Sequence, residues 1–143
     1  MQEFVTGKPE WNGTFMKYNT RCRVIDAEPG NVKYEFDVTK DVVNTIGTLH
    51  GGCIATLLGV CMANLVYDGK GFTQQLGLAV NTSISYLNAA KIGDTIIIQA
   101  NTLKHGKKLA FLEAKVFRKS DNKILAVGKQ TLAIIPKEKM MQQ

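Results

Sequence analysis

His50-Gly51-Gly52-Cys53-Ile54-Ala55-Thr56-Leu57-Leu58-Gly59-Val60-Cys61-Met62-Ala63-Asn64-Leu65-Val66-Tyr67 is the stretch on which the fold of this chain turns. It is apolar on nearly every side and built largely from small side chains, which predicts a helix buried over most of its circumference. A glycine pair opens it. Asp68-Gly69-Lys70-Gly71 closes it with turn residues, since glycine tolerates the positive φ that ends a helix.

Outward from this helix the pattern changes to period two. Upstream, Thr14 to Ala27 and Asn31 to Val38 read as strands joined by Glu28-Pro29-Gly30, a turn sequence. The second alternates cleanly, with Val32, Tyr34, Phe36 and Val38 on one face and Lys33, Glu35 and Asp37 on the other. Downstream come four more strand-like runs, Leu76 to Leu87, Asp94 to Leu103, Lys108 to Arg118 and Ile124 to Ile135. Their connectors, Lys91-Ile92-Gly93-Asp94, His105-Gly106-Lys107 and Ser120-Asp121-Asn122-Lys123, are short enough for antiparallel pairing. The order predicts an α+β domain in which a curved antiparallel sheet of about six strands wraps one long central helix. One helix leaves edges and surface uncovered, so a second copy of the chain is expected.

With 143 residues the chain fits a single domain, its core at about 14–136 with flexible termini. The apolar share of 45% and charged share of 21% are those of a globular protein. No apolar run is long enough to span a bilayer, so no integral membrane association is expected. The first residues carry no signal-peptide pattern; the cytosol is the default location, with a mitochondrial one left open because a cleaved import segment leaves no trace. Cys22, Cys53 and Cys61 are odd in number and lack C-x-x-C spacing, which argues against a disulfide framework or zinc site. Cys53 and Cys61 read as small core residues. The formal charge of +6 suits a polyanion, but the lysines are scattered and no aromatic platform alternates with them, which argues against nucleic acid.

Asn44-Thr45-Ile46-Gly47-Thr48-Leu49-His50-Gly51-Gly52 is the most specific signal for chemistry. The first N–H groups of a helix lack internal partners and sit at the positive end of its dipole, and glycines let a substrate oxygen come close. Such a site holds a carbonyl oxygen and stabilises the oxyanion formed on attack, an effect of roughly 3–4 kcal/mol for one well-placed donor.

At these residues the chain resembles the small hotdog-fold acyl-CoA thioesterases of the PaaI-like and mammalian thioesterase-superfamily type. The resemblance runs from about Glu28 to Ile135 and includes the Asn-x-x-Gly-x-x-His-Gly-Gly loop, the helix, Ile84-Ser85-Tyr86-Leu87 with Ala90-Lys91-Ile92-Gly93-Asp94, and Lys104-His105-Gly106-Lys107-Lys108-Leu109-Ala110-Phe111. It implies that the Gly51 N–H polarises a thioester carbonyl, that Asn44 and His50 orient substrate and water, and that Gly52 shares in the substrate site. It implies no cofactor beyond the coenzyme A thioester itself, and a homodimer that pairs further into a dimer of dimers. Basic residues near Lys104, His105, Lys107 and Lys108 would take the nucleotide end of coenzyme A, although a bare charge run of this kind is also a common solvated hairpin.

The chain departs from the family where the acid belongs. Nine residues after the histidine the family carries Asp or Glu, and here stands Gly59. A Ser or Thr that helps hold the water falls at Ala79. Asp68 is nine residues beyond Gly59, about 13 Å along a helix, and so is out of reach within one chain. Asp41 and Asp94 serve only if an oligomer brings them across an interface. By strand alternation, Asn81 and Ser83 share the face of Ala79 and can hold a water without being strong bases. His50 is left as capping residue, substrate orienter or base. For Gly59, close packing of strand against helix is the favoured reading, room for an acyl group or a partner's backbone the other. The expected function is thus hydrolysis, or at least binding, of an acyl-CoA thioester; the alternatives are a weak or inactive binding or assembly subunit and a hydratase-like use of the fold.

Overall fold

The computed structural model describes residues 9–66, 75–136 and 139. Six strands, β1 (Arg23–Glu28), β2 (Asn31–Asp37), β3 (Gln75–Tyr86), β4 (Thr95–His105), β5 (Leu109–Arg118) and β6 (Ile124–Pro136), form one sheet around a helix, α1 (Gly51–Ala63). The sheet order is β1-β2-β4-β5-β6-β3, and every neighbouring pair is antiparallel. This is the expected hotdog arrangement. The turns fall where the sequence places them, with Gly30, Gly93 and Asn122 at positive φ. Asp68 and the expected helix stop lie outside the described residues.

The start of the chain differs from expectation. Residues Pro9–Gly13 and Phe15–Arg21 are 3-10 helices, and the first strand begins only at Arg23. Thr14 is the reason: its hydroxyl donates to the Trp11 carbonyl and accepts from Met16 N–H, turning the backbone on itself where a strand would need it extended.

Alternation on the strands builds the core. Tyr34, Phe36, Ile96, Ile98, Leu112 and Val116 point inward and are fully buried, and Leu57, Leu58, Cys61 and Met62 of α1 sit on them. Small residues on the sheet make the hollow: Ala100, Ala110 and Ala114 are buried, and a Cβ on Gly128 would stand 3.1 Å from Leu58 Cδ1. The helix is buried along one side only, not over most of its circumference. Ile54, Leu57, Leu58, Cys61 and Met62 face the sheet, while Gly52, Ala55, Thr56, Gly59 and Ala63 form an opposite face of small, partly or fully exposed residues. β3 is an edge strand twelve residues long, with Leu78 and Val80 exposed on it.

A bulge in β3 changes which residues face the helix. Ala79 pairs with Leu132, but Asn81 pairs with Thr131, Thr82 with Gln130 and Ser83 with Lys129. Leu132 and Gln130 are buried and Lys129 is exposed, so the inward residues are Ala79 and Thr82. The expectation that Asn81 and Ser83 share the face of Ala79 is therefore corrected: the extra residue turns both to the outer face.

Leu58 packs against both Gly128 and the strands beneath it, so Leu58→Ala is expected to lower the free energy of unfolding by about 2–5 kcal/mol in urea titration, with the slope unchanged.

Candidate active site

The loop before α1 is held by its own side chains. Asn44 Oδ1 accepts from the N–H groups of Ile46 and Thr48, both at 3.1 Å, and its Nδ2 donates to Thr48 Oγ1 at 2.8 Å. Gly47 takes φ +85° at the bend. Asn44 thus clasps the loop, and one N–H of its amide has no acceptor among the described residues.

His50 caps the helix. Its Nδ1 accepts from Gly52 N–H at 2.8 Å, which fixes the neutral ring as the Nε2–H tautomer. The lone pair a general base would use is spent on the cap, so the exposed ring offers the cleft a donor. The glycine pair follows from two rings: a Cβ on Gly52 would lie 2.9 Å from His50 Nδ1, and one on Gly51 3.2 Å from Tyr86 Cζ. Tyr86 also donates its hydroxyl to the Gly51 carbonyl at 2.8 Å, pinning the first turn. Among the described residues no acceptor takes the Gly51 N–H.

Two cavities flank this helix start, Gly51 lining one and Gly52 the other. One of about 340 Å³ runs between Leu49, Gly51 and Ile54 on one side and Tyr86 to Ala90 on the other. The second, about 290 Å³, is bounded by Phe15, Tyr18, Val42, Val43 and Cys53, with His50, Gly52, Thr56 and Asp41 at its wall. Both are predominantly apolar. Neither carries a free acid. Asp41 is held by Arg21 and Thr39, which keep its carboxyl well below the usual range, and Asp94 accepts from Lys91 N–H and lies 3.4 Å from Arg118 Nε. Both carboxylates are already paired.

Gly59 is not forced by packing. A Cβ there would meet only Gln130 Nε2, at an ordinary 3.7 Å, so the close-packing reading is overturned. Gln130 and Thr82, which the sequence reading passed over, are the polar groups at this point. Gln130 Nε2 donates to Thr82 Oγ1 at 3.1 Å while Gln130 Oε1 is buried without a partner. Leaving such a group unpaired costs about 1–3 kcal/mol. The inward period of β6 was the available signal, since Ala126, Gly128, Gln130 and Leu132 fall on one face and only Gln130 is polar.

The sheet separates the remaining candidates. Gly51 sits at the end of the sheet where Tyr86 ends β3 and Arg118, ending β5, donates to the Ala89 carbonyl. Lys104, His105, Lys107 and Lys108 form the exposed turn at the opposite end of β5, ten residues or about 30 Å away. Among the described residues none of the three lysines has a carboxylate partner. Gly59 is likewise about 12 Å along α1 from Gly51.

A thioesterase superfamily model matches residues 46–125, more than half of the chain. Acyl-coenzyme A thioesterase 13 of Homo sapiens is 38% identical over 112 residues, which are 78% of each chain. Solved structures of thioesterase superfamily member 2 superpose closely: the zebrafish protein at TM-score 0.78 and 36% identity over 85% of this chain and 86% of that one, the Mus musculus protein at TM-score 0.80 and 30% identity over 92% and 95%. The chain belongs to the thioesterase superfamily. Among its described residues no helix is long and apolar enough to cross a membrane.

Burial pushes the Cys53 thiol up to about 11, with smaller contributions from Cys22 and Asp41 outweighing Arg21. Cys53 is accordingly expected to react with iodoacetamide at pH 8 at least about tenfold more slowly than free cysteine, the rate rising with pH as thiolate forms. A rate equal to that of free cysteine would contradict this environment.

Proposed function

We propose that the protein hydrolyses an acyl-CoA thioester to the acid and free coenzyme A, with water as the only co-reactant, and that it does so as a homodimer whose two sites are each shared between chains. The observation that carries the reading is the Gly51 N–H, which has no acceptor among the described residues, at the start of a helix whose first residue lines a predominantly apolar groove of about 340 Å³. A thioester carbonyl placed there meets a helix-terminal donor aligned with the dipole. His50, on the wall of the neighbouring cavity of about 290 Å³, presents its Nε2–H from the other side of the helix start, and Asn44 holds the loop that leads into it.

The shared site follows from distance. Within one chain Gly51 is about 12 Å from Gly59 and lies at the far end of the sheet from the basic turn. Two helices packed antiparallel about a two-fold axis near Ala55 bring Gly51 of one chain to Gly59 of the other. The small face of Gly52, Ala55, Thr56, Gly59 and Ala63 allows that approach, and the exposed edge of β3 gains a partner strand. The same rotation carries Lys104, Lys107 and Lys108 of one chain toward the helix start of the other, where the phosphates of coenzyme A need cations. Exposed Leu103, Leu109 and Phe111 supply an apolar patch for pairing dimers into a dimer of dimers. The intact electrophilic end of the site, and the activity named for the relatives, favour hydrolysis over a binding or assembly subunit.

Turnover of a panel of straight-chain and aryl acyl-CoA substrates is the primary test, followed by loss of the donor. Gly51→Pro removes the N–H, and Gly51→Ala, which brings the same Cβ against the Tyr86 ring but keeps the N–H, is its control; the proline variant is expected to have a kcat/KM about 100-fold below that of the alanine variant. Absence of turnover across the panel would overturn the reading. For the shared site, Gly51→Pro is mixed with a variant carrying Lys104→Glu, Lys107→Glu and Lys108→Glu, and the pair is refolded together. Activity above both parents is expected because each mixed dimer keeps one intact site; a mixture no better than its parents excludes sharing.

A further inference from the structure

We propose that Gln130, anchored by Thr82, is the residue that positions the attacking water, at the point where Gly59 supplies space and no carboxylate. The inference rests on the hydrolytic reading above and concerns the part of the site that the electrophilic end leaves undetermined.

Three observations converge. Gln130 is 6% exposed, lies inward on β6 and has one amide atom with no partner. Exchanging the amide oxygen and nitrogen does not cure this: Thr82 then donates to Oε1, and Nε2 is the orphan. In either orientation a buried polar atom calls for a further hydrogen-bonding group. The amide lies beside Gly59, where an ideal Cβ would meet Gln130 Nε2 at an ordinary 3.7 Å and nothing closer, so the side chain that glycine omits leaves its volume next to the amide. The bulge between Ala79 and Asn81 turns Thr82 inward, directly opposite Gln130. Without that extra residue Thr82 would face outward and the amide would have no anchor.

An amide is no base, so its contribution is orientation. A water hydrogen-bonded to Gln130 beside Gly59 of one chain presents a lone pair to the thioester carbonyl polarised by Gly51 of the other. Its oxygen forms the new C–O bond, the C–S bond breaks, and the displaced water proton ends on the coenzyme A sulfur, giving the acid and the free thiol. Gln130 and Thr82 are therefore positioning residues.

Gln130→Met keeps the volume and removes the polar group. It is expected to lower kcat for the best acyl-CoA of the panel about tenfold or more while KM stays within about twofold, because water placement acts in the transition state alone. Its melting temperature should equal or exceed that of the native chain, since an unpaired buried amide is gone. Thr82→Val, which retains Gln130 and removes its anchor, should give a smaller loss in kcat of the same kind. In a Gly59→Asp background the carboxylate takes over the water, so Gln130→Met should cost less than in the native chain. Native turnover with kcat unaltered by Gln130→Met, or equal losses in both backgrounds, overturns the proposal and leaves the hydrolytic reading intact. A native chain that cleaves no acyl-CoA overturns both.

Discussion

Everything in this molecule is arranged around the seating of one helix in the hollow of one sheet. Leu57, Leu58, Cys61 and Met62 fill that hollow, and the alanines and Gly128 beneath them make it deep enough. At about 25 cal/mol per Å², burial of these side chains outweighs the propensity cost of three glycines in the helix, each roughly 1 kcal/mol. The helix can therefore carry glycines where chemistry and close contact require them. Its position also fixes two ends. The first turn is held by Tyr86 at one end of the sheet, and Val66, just past the last turn, lies against Gly77 toward the other.

The three helix glycines have different causes. Gly51 leaves room for the Tyr86 ring, which a Cβ would crowd at 3.2 Å, and Gly52 for the His50 ring, which a Cβ would strike at 2.9 Å. Gly59 has only an ordinary contact, with Gln130 Nε2 at 3.7 Å from an ideal Cβ. A glycine demanded by a neighbour stabilises the fold, while a glycine without one costs helix stability and offsets nothing within the chain. That asymmetry directs attention to what a second chain, or a substrate, brings to Gly59. The capping histidine shows the same economy of atoms: with Nδ1 committed to Gly52, the ring serves the fold through one nitrogen and faces solvent with the other.

Most of the architecture was legible in the sequence because it rests on periodicity. The helix, the last five strands and their turns follow from apolar spacing and from glycine and asparagine at the bends. The miss at Thr14 to Arg21 arose from a threonine whose hydroxyl competes with strand pairing, a local effect that alternation does not register. The glycine-rich loop was legible too, through its unusual composition. Asn81 and Ser83 were placed on the wrong face because a bulge inserts one residue without altering composition, and every parity beyond it inverts. Gln130 was passed over for a different reason: a lone polar residue in an apolar strand reads as solvent-facing unless its position in the two-residue period is counted.

A thioester makes chemical sense as the substrate of a site with a strong electrophilic end and a weak nucleophilic one. The departing thiol has an ordinary pKa near 8.5, so a thiolate leaves without an acid to protonate it, and the demanding step is the addition of water to the carbonyl. Polarisation by one helix-terminal N–H lowers that barrier by roughly 3–4 kcal/mol, and positioning of the water adds to it without proton transfer to the protein. General-base assistance would contribute a further factor of about 10² to 10⁴. On the proposed mechanism, a superfamily member with glycine at position 59 keeps the electrostatic part of the catalysis and forgoes a base contribution of comparable size. Oxygen esters and amides, whose leaving groups need a proton in the transition state, gain far less from such a site. On the proposed mechanism, a preference for thioesters follows from what the site lacks as much as from what it holds.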